Sequence, residues 1–171
     1  MRRILLVLVV IALVMGVMAA PVGAGAVDKT EYSRTECVFA TGPPGAVEMT
    51  GKDDMIWHIR DFPYVGFLTD DGEPAGINSG LAAIDLNTKS GSGSIRGTLT
   101  VRDEVMGDFD GFFSGHYKDG EWQGRGSAGG VDDDAGKLLK VRLEGLDVEA
   151  TCGAGASDAA RWEVEIIDPQ G

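Results

Sequence analysis

After residue 26 the chain carries no long stripe of apolar residues at helical spacing, and that restricts its fold more than any motif does. Short stretches rich in β-branched and aromatic residues alternate with clusters of Gly, Pro and Asp, the pattern of strands separated by turns. Strands are expected at Glu36 to Thr41, Ala46 to Thr50, Met55 to Arg60, Tyr64 to Leu68 and Leu81 to Leu86. Further strands are expected at Ser94 to Val101, Phe109 to Tyr117, Glu121 to Ala128, Leu138 to Thr151 and Arg161 to Ile167. The one helical candidate, Ser157 to Arg161, is a turn or two at most.

Alternation within these stretches implies sheets with one buried face. Met55, Trp57 and Ile59 oppose Ile56, His58 and Arg60, and Leu139, Val141 and Leu143 form another inward set. Phe109, Gly111, Phe113, Gly115 and Tyr117 place large and small side chains alternately on one face, as a curved sheet requires where strands crowd. Tyr117-Lys118-Asp119-Gly120-Glu121 reads as a hairpin with Asp-Gly at its bend. The expectation is an all-β fold, an antiparallel β-barrel of roughly eight to ten strands, with a two-sheet β-sandwich as the alternative.

Residues 1 to 26 carry a different signal. Arg2 and Arg3 precede an uncharged run from Ile4 to Ala26 ending in Ala24-Gly25-Ala26, the order of a secretory signal peptide. Cleavage is expected after Ala26, leaving residues 27 to 171 as one domain in a secreted or periplasmic protein. A membrane contact would then arise only through an uncleaved leader, since Gly16, Pro21, Gly23 and Gly25 interrupt the run.

With 27 acidic against 15 basic residues, a net charge of -12, the chain would repel a phosphate backbone, so no nucleic-acid partner is expected. The two cysteines, Cys37 and Cys152, lie far apart in the exported part and outside any CxxC spacing. A disulfide is expected between them, with two buried thiols as the alternative.

Gly91-Ser92-Gly93-Ser94-Ile95-Arg96-Gly97-Thr98-Leu99, Gly107-Asp108-Phe109-Asp110-Gly111-Phe112-Phe113-Ser114-Gly115 and Trp122-Gln123-Gly124-Arg125-Gly126 share a glycine-punctuated texture. Over residues 50 to 150 it resembles the strands of the allene oxide cyclase-like barrels, the calycin-type architecture that includes dirigent proteins. The resemblance implies an antiparallel barrel with an apolar interior suited to a lipid-like or phenolic molecule. It assigns no catalytic residue.

Other chemistry has little to build on. His58 and His116 are the only histidines; His116 shares a strand face with Ser114, but no nucleophile elbow accompanies them. His58 and Arg60 share the face opposite Trp57, which points to solvent. Asp132-Asp133-Asp134 offers hard oxygen ligands, with Asp132 and Asp134 the candidate calcium residues, though not in EF-hand spacing. No P-loop, dinucleotide fingerprint or HExxH is present, and no cofactor beyond calcium is expected. The expected function is an exported, non-catalytic barrel whose interior, lined partly by Trp57, Leu99, Phe109, Phe113 and Val141, binds a small apolar ligand. The same residues would equally furnish a filled core. The alternatives are an isomerase or cyclase of the allene oxide cyclase or dirigent kind, and an acidic calcium-binding surface protein.

Overall fold

The computed structural model describes residues 27–118 and 121–170; the leader expected at 1–26 and the Asp119-Gly120 bend lie outside them. Nine strands follow one another: β1 (Asp28–Ala40), β2 (Ala46–Thr50), β3 (Ile56–Asp70), β4 (Glu73–Asn87), β5 (Ser92–Asp103), β6 (Gly107–Lys118), β7 (Glu121–Gly130), β8 (Leu138–Gly145) and β9 (Asp158–Asp168). From β3 to β9 each strand pairs antiparallel with the next, and β1 closes the circle by pairing with both β9 and β3. The result is a closed eight-stranded antiparallel barrel with β2 as an extra strand. Closure pairs the edge strands with each other, which an open two-sheet sandwich would leave unpaired.

β2 continues β1 along the same edge of β3. The Gly42-Pro43-Pro44-Gly45 segment interrupts the strand because proline cannot donate to a ladder, yet Thr41 N–H still reaches Pro63 O (3.1 Å) and Gly45 N–H reaches Asp61 O (3.2 Å). β3 joins two expected strands into one. A register shift between Ile59 and Phe62, with Asp61 at φ 51°, inserts a bulge that bends the strand and flares β2 and the start of β3 away from the barrel.

The first half of β1 and the Glu73 to Gly80 half of β4 are strands that the sequence pattern does not mark. Both carry polar residues on the inward face, Arg34 in β1 and Asn78 in β4, so apolar alternation is lost there. The expected helix at Ser157 to Arg161 is a correction: those residues enter β9, and the helix, α1 (Val148–Cys152), lies earlier, where the sequence suggested more strand. Asp147 caps it by accepting the Ala150 N–H at 2.8 Å, and Gly153 at φ 72° ends it. α1 packs on β1 and β9, above the fully buried Ala159.

One end of the barrel is filled. Leu68, Val101, Phe109, Leu139, Val164 and Ile166 form its packed layers, and Met106 lies among them. Arg34 enters this end from β1, donating through Nε to Asp103 Oδ2 at 2.9 Å and through Nη1 to Asp70 Oδ2 at 2.8 Å. Asp103 also accepts the backbone N–H groups of Val105 and Met106, at 2.9 and 2.8 Å, so one buried carboxylate shapes the β5–β6 turn and neutralises the arginine. Burial alone would raise the Asp103 pKa, but Arg34 and the two N–H groups outweigh it and hold the carboxyl below its ordinary range.

The alternation of large and small residues along β6 has a direct cause. Gly97 of β5 is the cross-strand partner of Phe113, and the Phe113 ring occupies the space that a Cβ at 97 would need.

Candidate functional site

The opposite end, toward the β4–β5 turn and the β8–β9 connection, is not filled. A cavity of about 200 Å3 lies there. Its aromatic walls are Phe62, Tyr64, Phe113, Tyr117, Trp122 and Trp162, with Val38, Ile84, Ile95 and Leu99 among the aliphatic ones. Strand alternation puts each of these on the inward face, and the bulge in β3 keeps Phe62 and Ile59 both inward although they stand three positions apart.

Six strands deliver polar groups to this apolar space. Glu36 of β1 is buried, accepting the Trp162 indole N–H at 2.8 Å on Oε2 and the Asn78 amide at 2.9 Å on Oε1. Gly66 makes room for it, because a Cβ there would overlap the Glu36 carboxylate. Burial is the main influence on Glu36 and lifts its pKa to about 7, against the two hydrogen bonds that favour the charged form and with help from the nearby Asp158. Tyr64 donates to Thr98 O at 2.8 Å, and burial beside Glu36 pushes its phenol up.

Asp158 of β9 accepts the Tyr117 hydroxyl at 2.9 Å. Burial raises its pKa too, offset in part by Tyr117, the Ala159 N–H and the Trp122 indole. Trp122 Nε1 nonetheless falls short of hydrogen-bond geometry, and Asn78 Oδ1 at the cavity wall has no partner at all. Both atoms are buried, and unpaired polar atoms in such a place cost free energy.

Of the residues expected inside, Leu99 and Phe113 line the cavity. Phe109 and Val141 belong to the packed core and are not among its walls. Trp57 lies on the inward side of the flare, beside Met49 and Leu86, but stands beyond the cavity and is 39% exposed. Cys37 and Cys152 form the disulfide, which ties the end of α1 to β1 beside Glu36. Glu36, Asn78 and Asp158 escape sequence reasoning. Glu36 shares an inward parity with Val38, which is the only signal, and among 27 acids it does not stand out.

The remaining candidates lie elsewhere. Asp134 accepts the Asp108 N–H at 2.8 Å and Lys137 Nζ at 2.7 Å, fastening the β7–β8 turn to β6; Asp132 starts that turn at φ 49°. Among the described residues no group of three or more His, Cys, Asp or Glu side chains is arranged to hold a metal. Ser114 and His116 are exposed on the outer face of β6. His58 is more engaged than expected: Nδ1 lies 2.6 Å from Asp85 Oδ1 and Nε2 lies 3.0 Å from Thr50 Oγ1, with Arg60 on the same Asp85 oxygen at 2.6 Å. This outer-face set links β2, β3 and β4, and its two donors hold Asp85 below the usual carboxylate range.

A larger concavity, about 1200 Å3, spreads over the outside of β1 and β6 to β9. Its charges compensate one another, as in the Lys29–Glu165 (3.2 Å) and Arg142–Glu163 (3.8 Å) pairs, so it offers weaker recognition than the interior.

No family model, curated protein or solved structure matches this chain. The site is therefore read from its own geometry.

Proposed function

We propose that this chain is an exported barrel that binds a small, largely apolar ligand in its interior. The observation that carries the reading is the 200 Å3 cavity of aromatic and aliphatic walls with a few fixed polar groups, the composition of a ligand site rather than of a packed core. Its size suits a molecule with a single ring, since a cavity of about 150 Å3 holds benzene. The Cys37–Cys152 bridge supports export, because disulfides persist in oxidising compartments. Among the described residues no helix is long and apolar enough to cross a membrane.

The isomerase or cyclase reading has one observation in its favour. Glu36, a buried carboxyl with a pKa lifted to about 7, has the properties of a general acid–base group inside an apolar site.

Native mass spectrometry of protein from the exported fraction tests both readings. A mass beginning at Val27 with a small adduct, released unchanged on denaturation, supports the binding module. Conversion of an added extract component, lost in E36Q, supports the enzyme. The bare mass, with nothing retained from lipid or phenolic extracts and none of their components converted, overturns both.

A further inference from the structure

We infer that the cavity selects a ligand with a primary ammonium group on a single-ring apolar body, held by Glu36 and Asp158 within the aromatic walls. The inference rests on the ligand-binding reading above and adds the ligand's charge to it.

The polar groups of the cavity are unbalanced in sign. Glu36 and Asp158 both line it, and among its described walls there is no Lys, Arg or His. The nearest inward cation, Arg34, is committed to Asp103 and Asp70. An anionic ligand would meet two carboxyls without a counter-charge, whereas a cation would relieve their mutual repulsion.

Hydrogen bonding and the aromatic walls narrow the ligand beyond its charge. Asn78 spends its amide hydrogens on Glu36 Oε1 (2.9 Å) and on the Tyr64 hydroxyl (3.3 Å), so it offers a ligand no donor of its own. A primary ammonium has three N–H donors, enough for both carboxylates together. Phe62, Tyr64, Phe113, Tyr117, Trp122 and Trp162 supply π faces that attract a cation and an apolar surface for the rest of the ligand.

Binding is linked to proton release. The groups facing Glu36 are Asp158 and Trp162 on β9, Tyr64 on β3 and Asn78 on β4, with Arg34 two residues along β1. None but Asp158 competes for the ligand's charge. A carboxyl with a pKa near 7 is largely protonated at pH 6 and ionised at pH 8, so affinity for an ammonium rises about tenfold between them if the ionised form binds.

The test uses isothermal titration calorimetry of the full exported chain with 2-phenylethylammonium, 2-phenylethanol and phenylacetate, which share a ring and differ in charge. The expected order places the ammonium at least about tenfold above the alcohol, with phenylacetate weakest, and E36Q brings the ammonium down to the alcohol's affinity. A82F, or A82L if the larger ring does not fold, fills the cavity and removes all three; Ala82 is a buried part of its wall. Equal affinities, or a preference for the ammonium that survives E36Q, would overturn this inference and leave the binding reading standing. Binding that survives the filled cavity would overturn it as well. If none of the three binds while an adduct is retained from the extracts, this inference fails and the binding reading stands; if the extracts too leave nothing bound, both fail.

Discussion

The Trp162 indole donates to Glu36 Oε2 at 2.8 Å across the β1–β9 pair, fixing a carboxyl inside an otherwise aromatic chamber. Everything distinctive about the barrel's open end follows from it. The carboxyl needs Gly66 for space and Asn78 for its second oxygen.

Glu36 makes stability depend on pH in an unusual direction. Its folded pKa of about 7 exceeds the ordinary 4.5, so the folded state binds more protons than the unfolded state between these values. Stability therefore falls as pH rises from about 4.5 through 7 and levels off above, by about 3 kcal/mol from this group. Chemical denaturation at pH 5 and pH 8 should show the decline in the natural chain and a much flatter profile in E36Q. A natural chain as stable at pH 8 as at pH 5 would refute the assignment.

Gly66 should be intolerant of any side chain while Glu36 is present. Gly66→Ala is expected to cost about 1–3 kcal/mol through overpacking, and the cost should shrink in the Glu36→Ala background. A double-mutant cycle measured by urea denaturation reads the coupling. Additive effects would mean that the two positions do not share space.

The closed end responds to acid in the opposite sense. Asp103 is held below its ordinary pKa, so its contribution is present above the unfolded value near 4 and is lost as pH falls through the lower folded one. Arg34→Ala should cost about 3–5 kcal/mol, because it leaves the buried Asp103 carboxylate without its counter-charge, and Asp103→Ala should cost less, because Asp70 still pairs with Arg34. Replacing both with apolar residues of similar volume should cost far less. Thermal melts of the three variants decide between these outcomes.

The disulfide spans a sequence separation of 115 residues, so its loss releases a large closed loop in the unfolded chain. The Cys37→Ala, Cys152→Ala double variant should lose about 2–5 kcal/mol. Hydrogen exchange should then rise first at α1, which has few contacts besides β1, β9 and the bridge. Uniform loosening of all strands would contradict that local role.

The sequence by itself determined the architecture: period-two alternation and Gly, Pro and Asp breaks specify antiparallel strands, and small residues facing large ones on β6 specify curvature. Phe113 over Gly97 is the visible consequence. It also marked the two cysteines that pair. Local pattern failed where the inward face is polar, in the first half of β1 and around Asn78, because a buried charge looks like a surface one until its partner is known. Arg34 and Asp103 lie 69 residues apart, and Glu36 and Trp162 lie 126 apart. Only barrel closure brings β1 against both β3 and β9, and that closure decides which of 27 acids face the interior. It also decides that Leu99 and Phe113 border a cavity while Phe109 and Val141 pack solidly and Trp57 stands outside. Side-chain type fixes what can be buried; the register of distant strands fixes what it is buried against.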